Sequence, residues 1–455
     1  MINGPGARRG MLLRASVVLM AAAFAAAGCS GSSASPSAAQ PSAGASASAA
    51  APATSAAPSA AGEAVTLHVL LMKQAAYSDT DVAAMTAAFN VDHPNITIVP
   101  EFVAYDALHD KIVTAQVTGS GQYDTVVMDT PWPAEFADAQ IVTDITNKIP
   151  ADFKSGVFDS AWTAAAYKGK YWGVPWINDT KFFYYNKKML ADAGVASVPK
   201  TWDDVIAAAQ AVKAKGIVKY PLVWSWSQAE AVICDWAEIA GVMGGANFID
   251  ASGKAQFNTG GGLAALQFMK KTLDLGLTNP ASLGFAEDDV NKTLGAGDAA
   301  MGLNWTYGYS VLNDKTKSKV AGNIGVAPAP GTASTPTAGV NGGMSIAVTT
   351  KSQHPAEALK FALWMASQPM QEKYDANTFP MWKASFDKTD LTKAAPDFWA
   401  AAKTEFAGLV ARPVVPYYTK LSAALQVAIQ EALLGTKTPQ QALDEVAAKL
   451  PDLQK

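Results

Sequence analysis

The stretch Leu222–Gln228 reads LVWSWSQ and sets Trp224 and Trp226 two residues apart, with Trp236 shortly after. If residues 220–226 run extended, side chains alternate and both indoles leave the same face. An indole face can stack on the apolar face of a sugar ring whose hydroxyls are met by polar groups at its edges. The same rings can equally fill a core, and these seven residues leave both roles open. Trp236 falls where a helix is expected and suits a ligand wall less. Asp129 and Asp179 offer a different chemistry. Carboxylates about 5–9.5 Å apart can hydrolyse a glycosidic bond, and these two could in principle form such a pair. Asp129 stands in DTPWP with Trp132, after an apolar run, where it faces a ligand or caps the next helix.

Composition narrows the classes. The chain has 455 residues, 49% hydrophobic and 16% charged, enough for a large core divided between two or three domains. Its formal net charge is −4; without Arg8, Arg9 and Arg14, in a segment expected to be removed, 32 basic residues face 39 acidic ones, a net −7. A mildly acidic chain without a basic stripe argues against nucleic acid as a partner. Two cysteines and four histidines occur, none with zinc-finger or HExxH spacing, so neither a metal nor another cofactor is expected. Cys234 reads as a small buried hydrophobe.

The N-terminus reads as an address. Three arginines precede the 13-residue apolar run Ala15–Ala27, the length of a signal-peptide core and too short for a bilayer, which needs about 20 residues. Ala26-Ala27-Gly28 then leads to Cys29, which resembles a bacterial lipobox with alanine at the usual leucine position. Residues 1–28 are expected to be cleaved and Cys29 lipidated. Residues 29–62, almost all Ser, Ala, Pro, Gly and Thr, read as a tether. The folded part is therefore expected outside the cell membrane, held to its outer face.

The residues named above need elements to hold them. VTLHVLLM (Val65–Met72) predicts a buried strand, followed by Lys73 and Gln74. Val82, Met85 and Phe89 predict a helix over 79–90 that His93-Pro94 stops. Strands at Ile96–Val103 and Tyr123–Asp129 flank a helix over 107–118. This strand–helix–strand order predicts an α/β fold, a parallel sheet with helices on both faces, and ligands outside the carboxyl ends of its strands. FFYY (Phe182–Tyr185) and SIAVTT (Ser345–Thr350) predict further strands. Thr201 with Asp204, and Thr438 with Pro439 and Gln441, predict helix starts. Leu263, Leu266, Met269 and Leu273 form a helical stripe.

Five stretches carry a resemblance: Tyr123–Thr146, Tyr167–Lys213 (with GVP, YYNKKML, AG and PKTWDD in order), Ala296–Tyr309, Gly342–Ser367 and Gly435–Leu450. In that order they resemble the extracellular solute-binding proteins that feed ATP-driven (ABC) importers, in the carbohydrate-binding group that includes maltose-binding protein. The resemblance implies a two-lobed periplasmic-binding-protein-like α/β fold with a ligand cleft between lobes. Residues 63–179 and 330–379 would form lobe 1, and 180–329 and 380–455 lobe 2, with crossings near Trp176–Lys181, Pro328–Gly342 and Phe379–Ala384.

It also implies site residues. The 220–226 strand would end at the cleft, bringing Trp224 and Trp226 toward ligand. Trp305 would be an aromatic platform, with Tyr307 beside it. Asp179, with Asn178, would accept hydroxyls at the first crossing. Tyr417 and Tyr418 would add aromatics, and Gly343 a backbone amide. Arg412, the sole arginine of the mature chain, would meet an anionic ligand or a carboxylate of the protein. The implied function is capture of a sugar or oligosaccharide by a monomeric, non-enzymatic binding protein and delivery to a membrane permease. A polyol phosphate or polyamine, or a surface glycosidase, are the alternatives.

Overall fold

In the computed structural model, residues 63–73, 76–119, 122–245, 247–375 and 378–455 are described. Cys29, the signal and tether segments, and Gln74 lie outside them. Strands β1 (Val65–Met72), β2 (Ile96–Val103), β3 (Thr125–Asp129), a small hairpin of β4 (Ala166–Tyr167) and β5 (Lys170–Tyr171), and β6 (Val174–Ile177) come first. After them come β7 (Lys181–Asn186), β8 (Leu222–Val223), β9 (Met301–Trp305), β10 (Ile324–Ala327) and β11 (Met344–Val348). They build two main sheets, ordered β2-β1-β3-β11-β6 and β10-β7-β9-β8. Helices pack against both sheets, giving a two-lobed α/β fold.

The first sheet is parallel only where strand–helix–strand units build it. β1 runs parallel to β2 and β3, but β11 runs antiparallel to both β3 and β6. The expectation of a parallel sheet is corrected here. β11 enters from the other lobe, not from a crossover helix, so no right-handed βαβ unit sets its direction. β3 is buried at every residue, as a strand covered on both faces must be. In β7, Phe182 and Tyr184 enter one core and Phe183 another, so the period of two feeds a helical layer on each side.

Local signals sit where the chain needs them. Ser78, Thr201 and Thr438 each cap a helix, and their own amides donate the reciprocal bond to the side chains of Asp81, Asp204 and Gln441. The segment 220–226, by contrast, is extended as a ladder only at Leu222–Val223. Beyond it the Trp224 and Trp226 amides donate to the Ser282 side chain and carbonyl.

Three crossings join the lobes, and they are bonded to one another. Asn178–Thr180 link β6 to β7. The Gly342 amide donates to the Asp179 carbonyl at 3.0 Å, and the Thr378 hydroxyl to the Asn178 carbonyl at 3.2 Å. Ala338 and Val340 pack in the second core, so the chain returns to the first sheet at Asn341, not at residue 330 as expected. Before that point it runs beside Val410 and between two buried carboxyls. Glu405 accepts from Thr337 at 2.6 Å and Glu238 from the Val340 amide at 3.1 Å.

Burial pushes the Glu405 carboxyl up to about 8, against the hydrogen bonds from Thr337 and Ala329. Glu238 is also pushed up, first by burial and then by Glu405. A carboxyl that holds its proton more tightly when folded contributes stability that is whole below its unfolded pKa, about 4.3. That contribution is lost as pH rises through about 8. The melting temperature is therefore expected to fall from about pH 5 to about pH 9. Glu405→Gln, which has no proton to lose, should make the fall shallower; an unchanged slope would assign it to other groups.

Candidate functional site

The two sheets present edges to each other. Met344 at the start of β11 pairs with Asp129 at the end of β3 and with Ile177 at the end of β6. In the second sheet Lys181, opening β7, pairs with Trp305, closing β9. A cavity of about 300 Å³ lies between these edges. Met72, Lys73, Tyr105, Asp106 and Asp129 line it from one lobe, and Ser227, Glu230, Glu287, Asp288, Trp305 and Tyr307 from the other. Asp179 and Gly342 line it from the crossings.

Trp305 is half-buried, with its ring against the second crossing. A Cβ on Gly342 would stand 2.3 Å from that ring, so only glycine lets the crossing pass so close. The indole nitrogen donates to Glu287 at 3.1 Å, and the Lys181 ammonium lies 5.0 Å from the ring centroid. Lys181 is fully buried and paired with fully buried Asp235 at 2.5 Å. Burial opposes its charge, but Asp235 and then Glu287 outweigh it and the pKa rises. The platform therefore rests on a closed ion pair, which fixes the ring before any ligand arrives.

Asp179 sits at the cavity's junction with the hinge. Its Oδ1 accepts from the Thr180 amide at 2.9 Å, the Thr306 amide at 3.1 Å and the Thr306 hydroxyl at 2.7 Å. Burial still prevails and pushes the carboxyl up to about 7. Tyr307 donates to Asp288 at 3.0 Å.

Arg412 spans the cleft. One terminal nitrogen donates to Asp129 of the first lobe at 2.9 Å and the other to Glu230 of the second at 2.7 Å. The guanidinium is 2% exposed, so it must be matched where it lies. Tyr105 donates to the other Asp129 oxygen at 2.6 Å, and Tyr418 and Ser422 both donate to Glu230. Of the two roles open to Arg412, contact with protein carboxylates is the one seen. Asp129 is likewise engaged by protein on both oxygens.

Several expected ligand residues lie elsewhere. Trp224 and Trp226 do stack, 5.5 Å apart at 6°, but both are 0% exposed in the second core. The ligand-wall role is corrected: the indole face of the strand looks inward, and Trp224 spends its N–H on Thr278. Trp236 is also core. Trp132 is buried behind Tyr105, 5.6 Å between ring centroids, and supports it without lining the cavity. Asn178 is turned to the Pro380 carbonyl and belongs to the hinge. The Gly343 amide is taken by Asn341 at 2.8 Å. Tyr417 meets Gln454, and Tyr418 stands behind Glu230. Lys73 is exposed on the cavity rim.

Sequence reasoning missed Tyr105, Asp106, Ser227, Glu230, Glu287 and Asp288. A signal was present for one of them. The same period of two that groups the indoles puts Ser225 and Ser227 on the opposite face. Ser225 accepts from Lys181 at 2.9 Å, and Ser227 lines the cavity. Glu230 and Glu287 each open a helix, an ordinary place for an acid, so nothing distinguished them.

A chain of this fold has known counterparts. The family model for bacterial extracellular solute-binding proteins matches residues 75–372. The chain belongs to that family. A probable ABC transporter-binding protein of Deinococcus radiodurans is 28% identical over 337 residues, 72% of this chain and 79% of the relative. Maltose-bound MalE3 of T. maritima superposes with a TM-score of 0.77 at 27% identity, over 86% of this chain and all of that one. A solute-binding protein of Thermotoga lettingae, solved with α-D-tagatose, gives 0.76 at 24% identity, over 86% of this chain and all of that one. As a member of this family the chain is an extracytoplasmic binding protein.

Two substitutions separate support from contact. Trp224→Ala removes a fully buried indole and is expected to cost about 3–5 kcal/mol of stability, read by urea unfolding. Arg412→Met strands buried Asp129 and leaves half-buried Glu230 without its cation, and should cost a similar amount, about 3–5 kcal/mol. A loss under about 1 kcal/mol at Arg412 would mean that the bridge is not closed in solution.

Proposed function

We propose that this protein captures a sugar or polyol outside the cell and delivers it to the membrane permease of an ABC importer. The observation that carries the reading is Trp305. Its ring is half-buried at the floor of the inter-lobe cavity, locked by Glu287 and underpinned by Lys181, with carboxylates at its edge. That is a stacking surface with hydroxyl acceptors around it. Relatives solved with maltose, tagatose, ribitol and mannitol support the same class. A cavity of about 300 Å³ stands at the small end of ligand pockets, roughly 300–1,000 Å³, which favours a short saccharide or polyol over a long chain.

The work is population shift without a covalent step. Ligand touches both lobes and favours the closed state, which the permease recognises. We place the protein as a monomer on the outer face of the membrane through lipid at Cys29. Cys29→Ala should then move the protein from the membrane fraction into the medium; retention in the membrane would refute the anchor.

Thermal-shift screening against a carbohydrate library tests the ligand class. At least one sugar or polyol is expected to raise the melting temperature, and Trp305→Ala should weaken its binding about tenfold or more in calorimetry, in line with stacking and area lost. If no sugar or polyol shifts the protein, the carbohydrate reading fails.

A further inference from the structure

Trp305, Thr306 and Tyr307 are consecutive, and each donates to a different carboxylate of the site. The Trp305 indole binds Glu287 Oε1, the Thr306 amide and hydroxyl bind Asp179 Oδ1, and the Tyr307 hydroxyl binds Asp288 Oδ1. In each case one carboxylate oxygen is pinned. The other, Asp179 Oδ2, Glu287 Oε2 or Asp288 Oδ2, has no hydrogen-bond partner among the described residues. All three carboxylates line the cavity. A three-residue run thus aims three acceptors around one aromatic platform.

The charge of the cavity is one-sided. Six carboxylates line it, Asp106, Asp129, Asp179, Glu230, Glu287 and Asp288, against Lys73 and Arg412. Arg412 has each terminal nitrogen committed to Asp129 or Glu230. Lys181, the cation under the platform, is committed to Asp235. Its ammonium also lies 3.9 Å from Glu287 Oε1, so Asp106, Asp179 and Asp288, with the second oxygen of Glu287, remain opposite one exposed lysine at the rim.

A neutral sugar brings hydroxyls that donate and accept in comparable number. It would satisfy these acceptors but find few donors for its own oxygens. A protonated amine brings three donors and no acceptor, and its charge offsets the excess of carboxylates. We propose that the ligand of this site is a hydroxylated amine, an amino sugar or amino polyol, with its ammonium held among Asp179, Glu287 and Asp288 and its ring or chain on Trp305. Anionic sugars, phosphorylated or uronic, are rejected by the same charge. An ammonium beside Asp179 would also favour the ionised form that burial disfavours. The inference rests on the sugar-binding reading above.

The test is calorimetry and thermal shift on the full-length protein with matched sets. One set is glucose, galactose, mannose, mannitol and N-acetylglucosamine. The second is glucosamine, galactosamine, mannosamine and 1-amino-1-deoxysorbitol. The third is glucose 6-phosphate, glucosamine 6-phosphate and glucuronate. The best amine is expected to bind about tenfold or more tightly than its neutral counterpart, as charge-assisted hydrogen bonds allow. Its affinity should fall with salt while that of the neutral sugar does not, and the third set should not bind. Asp288→Asn, whose carboxylate lies on the surface of the fold, should lower the amine-to-neutral ratio several-fold without changing the melting temperature of the free protein. A neutral sugar that binds as tightly as its amine, or a phosphate that binds, overturns the inference and leaves the sugar reading standing. Binding of putrescine or spermidine with no response to any sugar or polyol overturns both, as does silence across all sets.

Discussion

Three residues, Asn178–Thr180, separate the last residue of the first sheet from the first residue of the second. Even fully extended, so short a link spans only about 14 Å between Ile177 and Lys181. The two sheets must therefore meet edge to edge. That constraint makes the cleft, and it decides what can line it. Strand ends of both lobes arrive there, and Asp179 is carried into the site by the link itself. The other crossings are held to this one by the Gly342 amide on the Asp179 carbonyl and the Thr378 hydroxyl on the Asn178 carbonyl, so the hinge is one bonded unit and not three separate linkers.

Because the edges meet, charges on them must be settled inside the protein. Arg412 does this between lobes and Lys181 does it within the second lobe. Both cations are buried, and each is matched by carboxylate in direct contact. The energetic logic differs from that of a surface ion pair. Removing one partner leaves an uncompensated charge out of water, which is why buried pairs resist dissection more than they add stability. For the site the consequence is directional. The cations are used internally, and the carboxylates held by the 305–307 run, Asp179, Glu287 and Asp288, line the cavity.

Much of this was legible beforehand. Strand β1, the helix caps at Thr201 and Thr438, and the α/β class follow from local patterns whose physics acts over a few residues. The family resemblance singled out Trp305 and gave Asp179 its place at the first crossing, and both line the cavity. The failures share one cause. Trp224 and Trp226 have the type and spacing of a ligand wall, and alternation correctly put them on one face. Alternation cannot say which face meets the cleft. Trp202, opening helix 202–214, packs against Trp224, while Ser225 faces Lys181 and Asp235 and Ser227 the cavity. Trp132 and Asn178 show the same limit one layer out: they sit one residue or one ring away from the ligand-facing group.

The sequence by itself determined the elements, their order, the family and the residue types available for a ligand. It did so because helix caps, apolar periodicity and glycine positions act within a turn or a strand. Only the tertiary structure decided which of those residues face the cleft. That choice depends on how two sheets dock, on which carboxylates Arg412 and Lys181 consume, and on whether a glycine such as Gly342 lets a ring approach. LVWSWSQ is the case in point: its alternation was local, but the side that became core was set by packing from residues far along the chain.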